Sequence, residues 1–176
     1  MIAVIVETTA TGGTKISVST AHVTSWGRLN TPQSELEKRW SSVALPYTLL
    51  DQQVLESEFP RCVEKGIGFV VGAVFASGIL ATGAVQGARY AYSPATPEML
   101  TKVARIEAVC ARHGVPIAAA ALQFPLGHPS VASVIPGGLS LEHVRQNVAA
   151  FRHTIPPALW AELKHEGLLR ADAPTP

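Results

Sequence analysis

Two glycine-containing turns are the strongest candidates for chemistry in this sequence. One reads "GAVFASGIL" from Gly72 and the other "IPGGLSLEHVRQN" from Ile135, and each follows an apolar run that predicts a buried strand. Ligands of α/β proteins bind at the carboxyl ends of parallel strands. In the second turn, Gly137 and Gly138 precede a helix whose free N–H groups and positive dipole end suit an anion. The two turns together predict an anion site.

The helix after the second turn adds three polar side chains. His143, Gln146 and Asn147 are spaced i, i+3 and i+4, so they share one helix face near its amino end. Neither turn matches the well-known G-x-x-x-x-G-K-[ST] or G-x-G-x-x-G phosphate motifs. The residues alone therefore leave a second interpretation open, in which the glycines form ordinary tight turns and His143 is a solvated helix residue.

The stretch from Gly66 to Ala88 carries no charge and is long enough to span a membrane, for which about 20 residues are needed. A second nearly uncharged run, 116–141, would allow a two-span membrane protein. The first run contains six glycines, each unfavourable in a helix by about 1 kcal/mol relative to alanine, and the second contains four prolines. We favour a buried strand followed by a loop, and keep the two-span membrane protein as a less favoured alternative.

Composition limits the class of protein. The chain has 176 residues, of which 47% are hydrophobic and 15% charged, and its net charge is +1 without any cluster of lysine or arginine. Nucleic-acid partners require a basic surface, so none is expected, and no membrane partner is expected either. Cys62 and Cys110 are not in a metal-binding spacing, and we expect no metal. Because the start lacks the features of a signal peptide, we expect a cytoplasmic protein.

The order of predicted elements indicates an α/β fold. Residues 1–40 form an atypical segment, with two short strands around Gly12 and Gly13 and a helix near 31–40. From residue 41 onward, strands alternate with helices, as in parallel sheets. Thr96 and Ser140 are predicted to cap two of these helices, and the second has an apolar stripe of Leu141, Val144, Val148 and Phe151. The tail, 171–176, is predicted to be disordered.

Four stretches resemble the C-terminal half of the aldo-keto reductases. They are "YTLLDQ", "GIGFVVGAVFASGIL", "AAALQFPLGHPSVASVIPGG", and "VRQNVAAF" followed by "IPPALWAEL", and the resemblance runs over about residues 43–169. It is strongest to the branch of L-fucose, D-threo-aldose and pyridoxal 4-dehydrogenases. The resemblance implies a partial (β/α)₈ TIM barrel over residues 41–170. Strands six to eight would be "VALPYTLL", "GFVVG" and "SVASVI", which places Tyr47 on strand six.

The resemblance also implies a cofactor site for NAD or NADP. The residues that inherit it are Gly72, Phe75, Ser77, Gly78, Leu80, Pro136, Gly137, Gly138, His143, Gln146 and Asn147. The sequence departs from the family in two places. Ala73 and Ala76 stand where the similar branch has glycine and asparagine. Gly137 and His143 stand where NADP-specific members have lysine and arginine, so we expect NAD in preference to NADP.

By this resemblance the chain is an oxidoreductase that acts on an aldehyde or sugar-type carbonyl. The family takes its catalytic aspartate, tyrosine, lysine and histidine from its first four strands, but strands one to five have no clear counterpart here. We therefore assign no catalytic residue and expect a truncated form; the alternative is a non-catalytic nucleotide-binding remnant. A half barrel would leave two strand edges bare. The N-terminal segment could cover one, two chains could associate through them, or the chain could fold poorly.

Overall fold

The structure is a computed structural model that describes residues 2–8, 14–20, 46–65 and 68–176. In residues 2–8 and 14–20, and at Lys65 and Phe69, only the backbone is described. The helix predicted near 31–40 and the start of the strand predicted at 43–50 lie outside the described residues.

Seven strands and six α-helices make up the described part. The strands are β1 (Ile2–Thr8), β2 (Thr14–Thr20), β3 (Phe69–Gly72), β4 (Arg89–Tyr90), β5 (Ser93–Pro94), β6 (Val131–Ile135) and β7 (Gly137–Gly138). The helices are α1 (Glu58–Lys65), α2 (Ile79–Thr82), α3 (Pro97–Arg112), α4 (Ile117–Gln123), α5 (Leu141–Arg152) and α6 (Pro157–His165). Short 3₁₀ turns occupy Gln53–Leu55, Ala76–Gly78 and Phe124–Gly127.

The main sheet joins the N-terminal hairpin to the two buried strands. Its order is β2-β1-β6-β3, with β7 also paired to β1. β3 and β6 are parallel, as the sequence predicts, whereas β1 lies antiparallel to both β2 and β6. Val6 is opposite Val134, so the N-terminal hairpin covers the edge of β6 that faces away from β3. The carboxyl ends of β3 and β6 lie side by side, with Gly72 opposite Ile135.

Residues 46–50 do not form the strand that the sequence predicts. The Thr48 hydroxyl oxygen accepts hydrogen bonds from the N–H groups of Leu50 and Asp51, at 3.2 and 3.1 Å. The Thr48 N–H donates to the Asp51 carbonyl at 2.8 Å. These local bonds occupy backbone groups that a sheet would need, so the segment forms a turn. Tyr47 lies fully buried in the core, against Phe59 and Phe124, with ring centroids 4.9 and 4.8 Å away.

The predicted helix boundaries after residue 95 agree with the structure. Thr96 caps α3 by accepting from the Met99 N–H at 3.3 Å, and Gly114 follows this helix at a φ of +66°. Ser140 caps α5. The predicted apolar stripe of α5 is wrong at Leu141, which is 62% exposed, while Asn147 is buried on the inner face.

The C-terminal tail differs from the expected disorder. Ala173 is buried, and the Arg170 N–H donates to Oε1 of Gln52 at 3.0 Å. A Cβ atom added at Gly127 would lie 2.5 Å from the carbonyl carbon of Thr175, so the tail packs directly on the Phe124–Gly127 turn. The last residues therefore belong to the packed body of the protein.

Among the described helices, none is long and apolar enough to cross a membrane. The uncharged stretch that raised this alternative forms β3, a 3₁₀ turn and the single-turn helix α2 instead.

Candidate functional site

A cavity of about 440 Å³ opens where β3 and β6 end. One wall is the loop after β3, and the other is the β6–α5 turn with the first turns of α5. Its lining residues are Ala73, Val74, Phe75, Ala76, Ser77, Gly78, Ala81, Thr82, Tyr92, Ile135, Gly137, Gly138, Leu139, His143, Gln146 and Asn147. The volume lies within the usual range for small-molecule sites, roughly 300–1,000 Å³.

The structure brings together most of the residues predicted from the sequence. Eight of the eleven line the cavity: Phe75, Ser77, Gly78, Gly137, Gly138, His143, Gln146 and Asn147. The other three do not line it. Leu80 is fully buried in the core, Gly72 ends β3, and Pro136 is a buried residue between β6 and β7. Two turns that are distant in sequence therefore form one site.

The loop wall has an unusual backbone. Ala73, Ala76 and Ser77 have φ values of +54°, +46° and +63°, and Gly78 follows at +98°. Residues other than glycine rarely adopt this left-handed region, because the Cβ atom crowds the backbone. The Ala76 N–H donates to the Ala73 carbonyl at 2.8 Å, and the Leu80 N–H donates to the Phe75 carbonyl at 3.1 Å. These bonds, which lie within the segment itself, fix the loop in its strained conformation.

The helical wall is held by two side chains. Asn147 donates from Nδ2 to the Gly137 carbonyl at 3.2 Å, which ties β7 to α5. The Ser140 hydroxyl accepts from the His143 N–H at 3.1 Å. One of the free N–H groups expected at this helix start is thus already used by the cap. The imidazole Nδ1 of His143 accepts from the Leu139 N–H at 3.2 Å, so the neutral ring carries its proton on Nε2.

Among the described residues that line the cavity, none is aspartate, glutamate, lysine or arginine. Its polar groups are hydroxyl, amide, imidazole and backbone groups on a largely apolar wall. Such a site can orient a ligand by neutral hydrogen bonds and, at the loop and helix start, by backbone dipoles. In the part of the chain that the structure describes, no group of three or more histidine, cysteine, aspartate or glutamate residues is placed to hold a metal.

Tyr92 is a lining residue that was not predicted from the sequence. It lies at the tip of the β4–β5 hairpin, lines the cavity, and donates its backbone N–H to the Ser77 hydroxyl at 3.1 Å. A two-residue hairpin turn is normally recognised by asparagine and glycine. Here the turn residues are Ala91 and Tyr92, so the sequence gives no such signal.

Comparison with known proteins identifies the family. The aldo/keto reductase family model matches residues 9–165, which is most of the chain. The chain belongs to the aldo/keto reductase family. The match begins inside the segment 1–40 that the sequence analysis set apart.

Two curated relatives of this chain are a pyridoxal dehydrogenase and a sugar dehydrogenase. The pyridoxal 4-dehydrogenase of Microbacterium luteolum is 38% identical over 148 residues, covering 84% of this chain and 43% of that protein. The D-threo-aldose 1-dehydrogenase of a Pseudomonas species is 40% identical over 135 residues, covering 76% of this chain and 40% of that protein. The chain thus spans about two fifths of the length of these relatives.

Solved structures agree on the fold. An aldo-keto reductase from Bacillus halodurans matches with a TM-score of 0.59 in its apo form and 0.54 in its holo form, at 26% identity in both. The match covers 80% of this chain and 48% and 47% of those chains. The fold is therefore α/β and TIM-barrel-like.

Proposed function

We propose that the cavity binds a nicotinamide dinucleotide and that the protein serves an oxidoreductase reaction on a sugar-like or aldehyde carbonyl. The observation that carries the proposal is the convergence of the Ala73–Gly78 loop and the start of α5 on one cavity. Members of this family bind their cofactor with these two regions. The holo form of the Bacillus halodurans reductase and the dehydrogenase names of the relatives support the same assignment.

The two walls suit different parts of the cofactor. The loop wall offers the Ser77 hydroxyl, which fits the diphosphate. The helical wall offers His143, Gln146 and the Gly137–Gly138 turn, which fit the adenosine end. The bound cofactor would supply or accept the hydride, and these residues would fix its position.

The uncharged lining supports NAD over NADP. A 2′-phosphate adds negative charge and needs cations such as arginine or lysine. Gly137 and His143 occupy the places where the family's NADP-specific members carry these cations. None of the described lining residues is a lysine or an arginine. A cofactor without that phosphate avoids burying an unpaired charge.

Cofactor binding by this cavity does not by itself make the chain catalytic. The proposed activity needs the family's aspartate, tyrosine, lysine and histidine, and we assign none of them to a residue of this sequence. A non-catalytic nucleotide-binding protein is the second candidate, and the cavity fits it equally well. Tyr47 is not a candidate acid, because it is fully buried in the core and does not line the cavity.

Fluorescence titration of the purified chain with NADH tests cofactor binding. The proposal predicts saturable binding, and absence of saturation would overturn it. Adding D-threo-aldoses or pyridoxal with NAD then separates the two candidates. Appearance of NADH absorbance supports the oxidoreductase, and binding without any turnover supports the non-catalytic protein.

We also propose that these strands form part of a barrel and that its open edge favours self-association. Among the described strands, β3 pairs only with β6, whereas the N-terminal hairpin covers β6 on the other side. Unpaired edges associate with other strands. Size-exclusion chromatography checks this: the proposal predicts a dimer or larger species, and a monomer that unfolds cooperatively would contradict it.

A further inference from the structure

We propose that Tyr92 forms an aromatic outer wall of the cofactor site, on which the adenine ring of the dinucleotide stacks. The inference rests on the proposed function, because it assigns a further binding residue to the same cavity. Tyr92 and Leu139 both line the cavity, yet Tyr92 is 71% exposed and Leu139 is 85% exposed.

The backbone at Tyr92 is strained. Ala91 and Tyr92 form the two-residue turn between β4 and β5 and have φ values of +48° and +65°. Turns of this kind normally use asparagine and glycine, and a bulky residue at positive φ is an outlier. Strained residues persist where the surrounding structure holds them, and they cluster at ligand sites. The strained backbone is therefore consistent with a role of the Tyr92 ring in binding a ligand.

Hydrogen bonds hold the turn on both sides of Tyr92. Its N–H donates to the Ser77 hydroxyl at 3.1 Å, and its carbonyl accepts from the Arg89 guanidinium. Tyr90, two residues earlier, packs against the core and anchors the hairpin. The hairpin is thus fixed to the loop wall, and Tyr92 is the residue that it presents to the cavity.

Ser77 links this hairpin to the proposed diphosphate position. A hydroxyl can accept one hydrogen bond and still donate its own hydrogen. Because Ser77 accepts from Tyr92, its hydrogen remains able to point at a phosphate oxygen. A phosphate bound there would then accept a hydrogen bond from the same Ser77 hydroxyl that holds Tyr92 in place.

Adenine is the part of the cofactor that suits this wall. A planar base stacks well on an aromatic ring without needing charge. The apolar Leu139 lines the same cavity, beside the helical wall that fits the adenosine end. A tyrosine and a leucine that stay exposed without ligand would be covered when the base enters.

A pair of glycine substitutions in one turn tests the proposal. Tyr92→Gly and Ala91→Gly both remove the strain of a side chain at positive φ. Each variant should therefore keep or raise the thermal midpoint. Only Tyr92→Gly removes the ring, so it should weaken NADH binding about tenfold, roughly the scale of losing one stacked base. Ala91→Gly should leave the NADH affinity within about twofold of that of the original chain. Tyr92→Phe should also bind within about twofold.

ADP-ribose identifies the part of the cofactor involved. Calorimetry should show the same roughly tenfold loss for ADP-ribose in Tyr92→Gly, since this fragment keeps adenine and lacks nicotinamide. Unchanged ADP-ribose binding alongside weakened NADH binding would overturn the adenine assignment. Equal NADH affinities in the original chain and in Tyr92→Gly would overturn the inference alone. Failure of the original chain to bind NADH would overturn the proposed function together with it.

Discussion

Nδ1 of His143 accepts a hydrogen bond from the Leu139 N–H, with 3.2 Å between the two nitrogens. The bond spans the amino end of α5 and orients the ring at the helical wall of the cavity. Because Nδ1 accepts this bond, the neutral ring carries its proton on Nε2 and offers that N–H as a donor. A neutral donor suits a ribose hydroxyl better than a 2′-phosphate.

The first prediction is a change in cofactor preference. Gly137→Lys combined with His143→Arg supplies two cations to a cavity whose described lining has none, and there is open space beside Gly137 for a side chain. NADPH affinity should rise at least about tenfold relative to NADH affinity, because charge-assisted hydrogen bonds form only with the extra phosphate. Fluorescence titration measures both.

The matched control for that variant is Ala104→Lys combined with Ala108→Arg, which adds the same charge on the exposed face of α3. It should leave the ratio of the two affinities unchanged. If NADPH already binds the original chain as tightly as NADH, the explanation from missing cations is wrong.

The second prediction concerns the strained loop. Ala73→Gly and Ala76→Gly place glycine where φ is +54° and +46°. Each should raise the free energy of unfolding by up to about 1 kcal/mol, because relief of left-handed strain outweighs the added freedom of the unfolded chain. Ala104→Gly, in the exposed middle of α3, should instead lower it by about 1 kcal/mol. Urea unfolding distinguishes the two signs, and a loss at Ala73 would contradict the strain argument.

The third prediction concerns Tyr47. Its hydroxyl is buried and lacks a hydrogen-bond partner among the described residues. Burial, with the nearby charge of Asp172, raises the pKa of this phenol well above its ordinary value. Tyr47→Phe should leave the free energy of unfolding unchanged or raise it by roughly 1 kcal/mol, since no bond is lost and an unsatisfied polar group is removed.

Phe124→Leu is the comparison for that variant, because Phe124 packs on the same ring and is equally buried. It should lower the free energy of unfolding by about 1–2 kcal/mol through lost packing. A similar loss in Tyr47→Phe would show that the hydroxyl has a partner after all.

The fourth prediction is a pH dependence of stability that arises between α3 and α6. The pKa of Glu162 is lowered by its hydrogen bonds with His113 and with Arg112. A carboxyl with a lowered folded pKa stabilises the fold above its ordinary pKa of 4.5, and this contribution is lost as the pH falls below that value. The thermal midpoint should therefore be higher in the original chain than in Glu162→Gln at neutral pH.

The same difference should close when the pH is lowered through the acid range, and differential scanning calorimetry at several pH values measures it. Glu142→Gln removes a carboxylate whose distance to Arg145 is 3.9 Å on the exposed face of α5. Such an exposed pair contributes little, so its substitution should have almost no effect at any pH. A pH-independent deficit in Glu162→Gln would contradict the assignment.

Local signals in the sequence predicted the parts of the fold that local physics decides. Thr96, Ser140 and Gly114 mark helix ends, and the apolar runs before Gly72 and Pro136 mark parallel strands. Because parallel strands expose their carboxyl ends at one edge, the two glycine turns could be placed together before the structure was known.

Side-chain contacts, one of them local and the others between distant residues, decided the rest. Thr48 folds residues 46–50 into a turn by bonds that a strand pattern does not reveal. Ala173 becomes buried through contacts with distant residues, although the tail composition suggests disorder. Tyr92 reaches the cavity only because a hairpin without turn-forming residues is fixed to Ser77. The burial of Ala173 and the position of Tyr92 depend on partners that are distant in sequence.

Amide chemical-shift mapping of the labelled chain with NADH tests the central claim most directly. The account predicts that the shifts which move on titration belong to the loop from Ala73 to Gly78 and to the turn and helix from Gly137 to Asn147. NAD should move the same signals. Perturbations confined to other surfaces, or none at saturating NADH, would contradict the assignment of this cavity as the dinucleotide site.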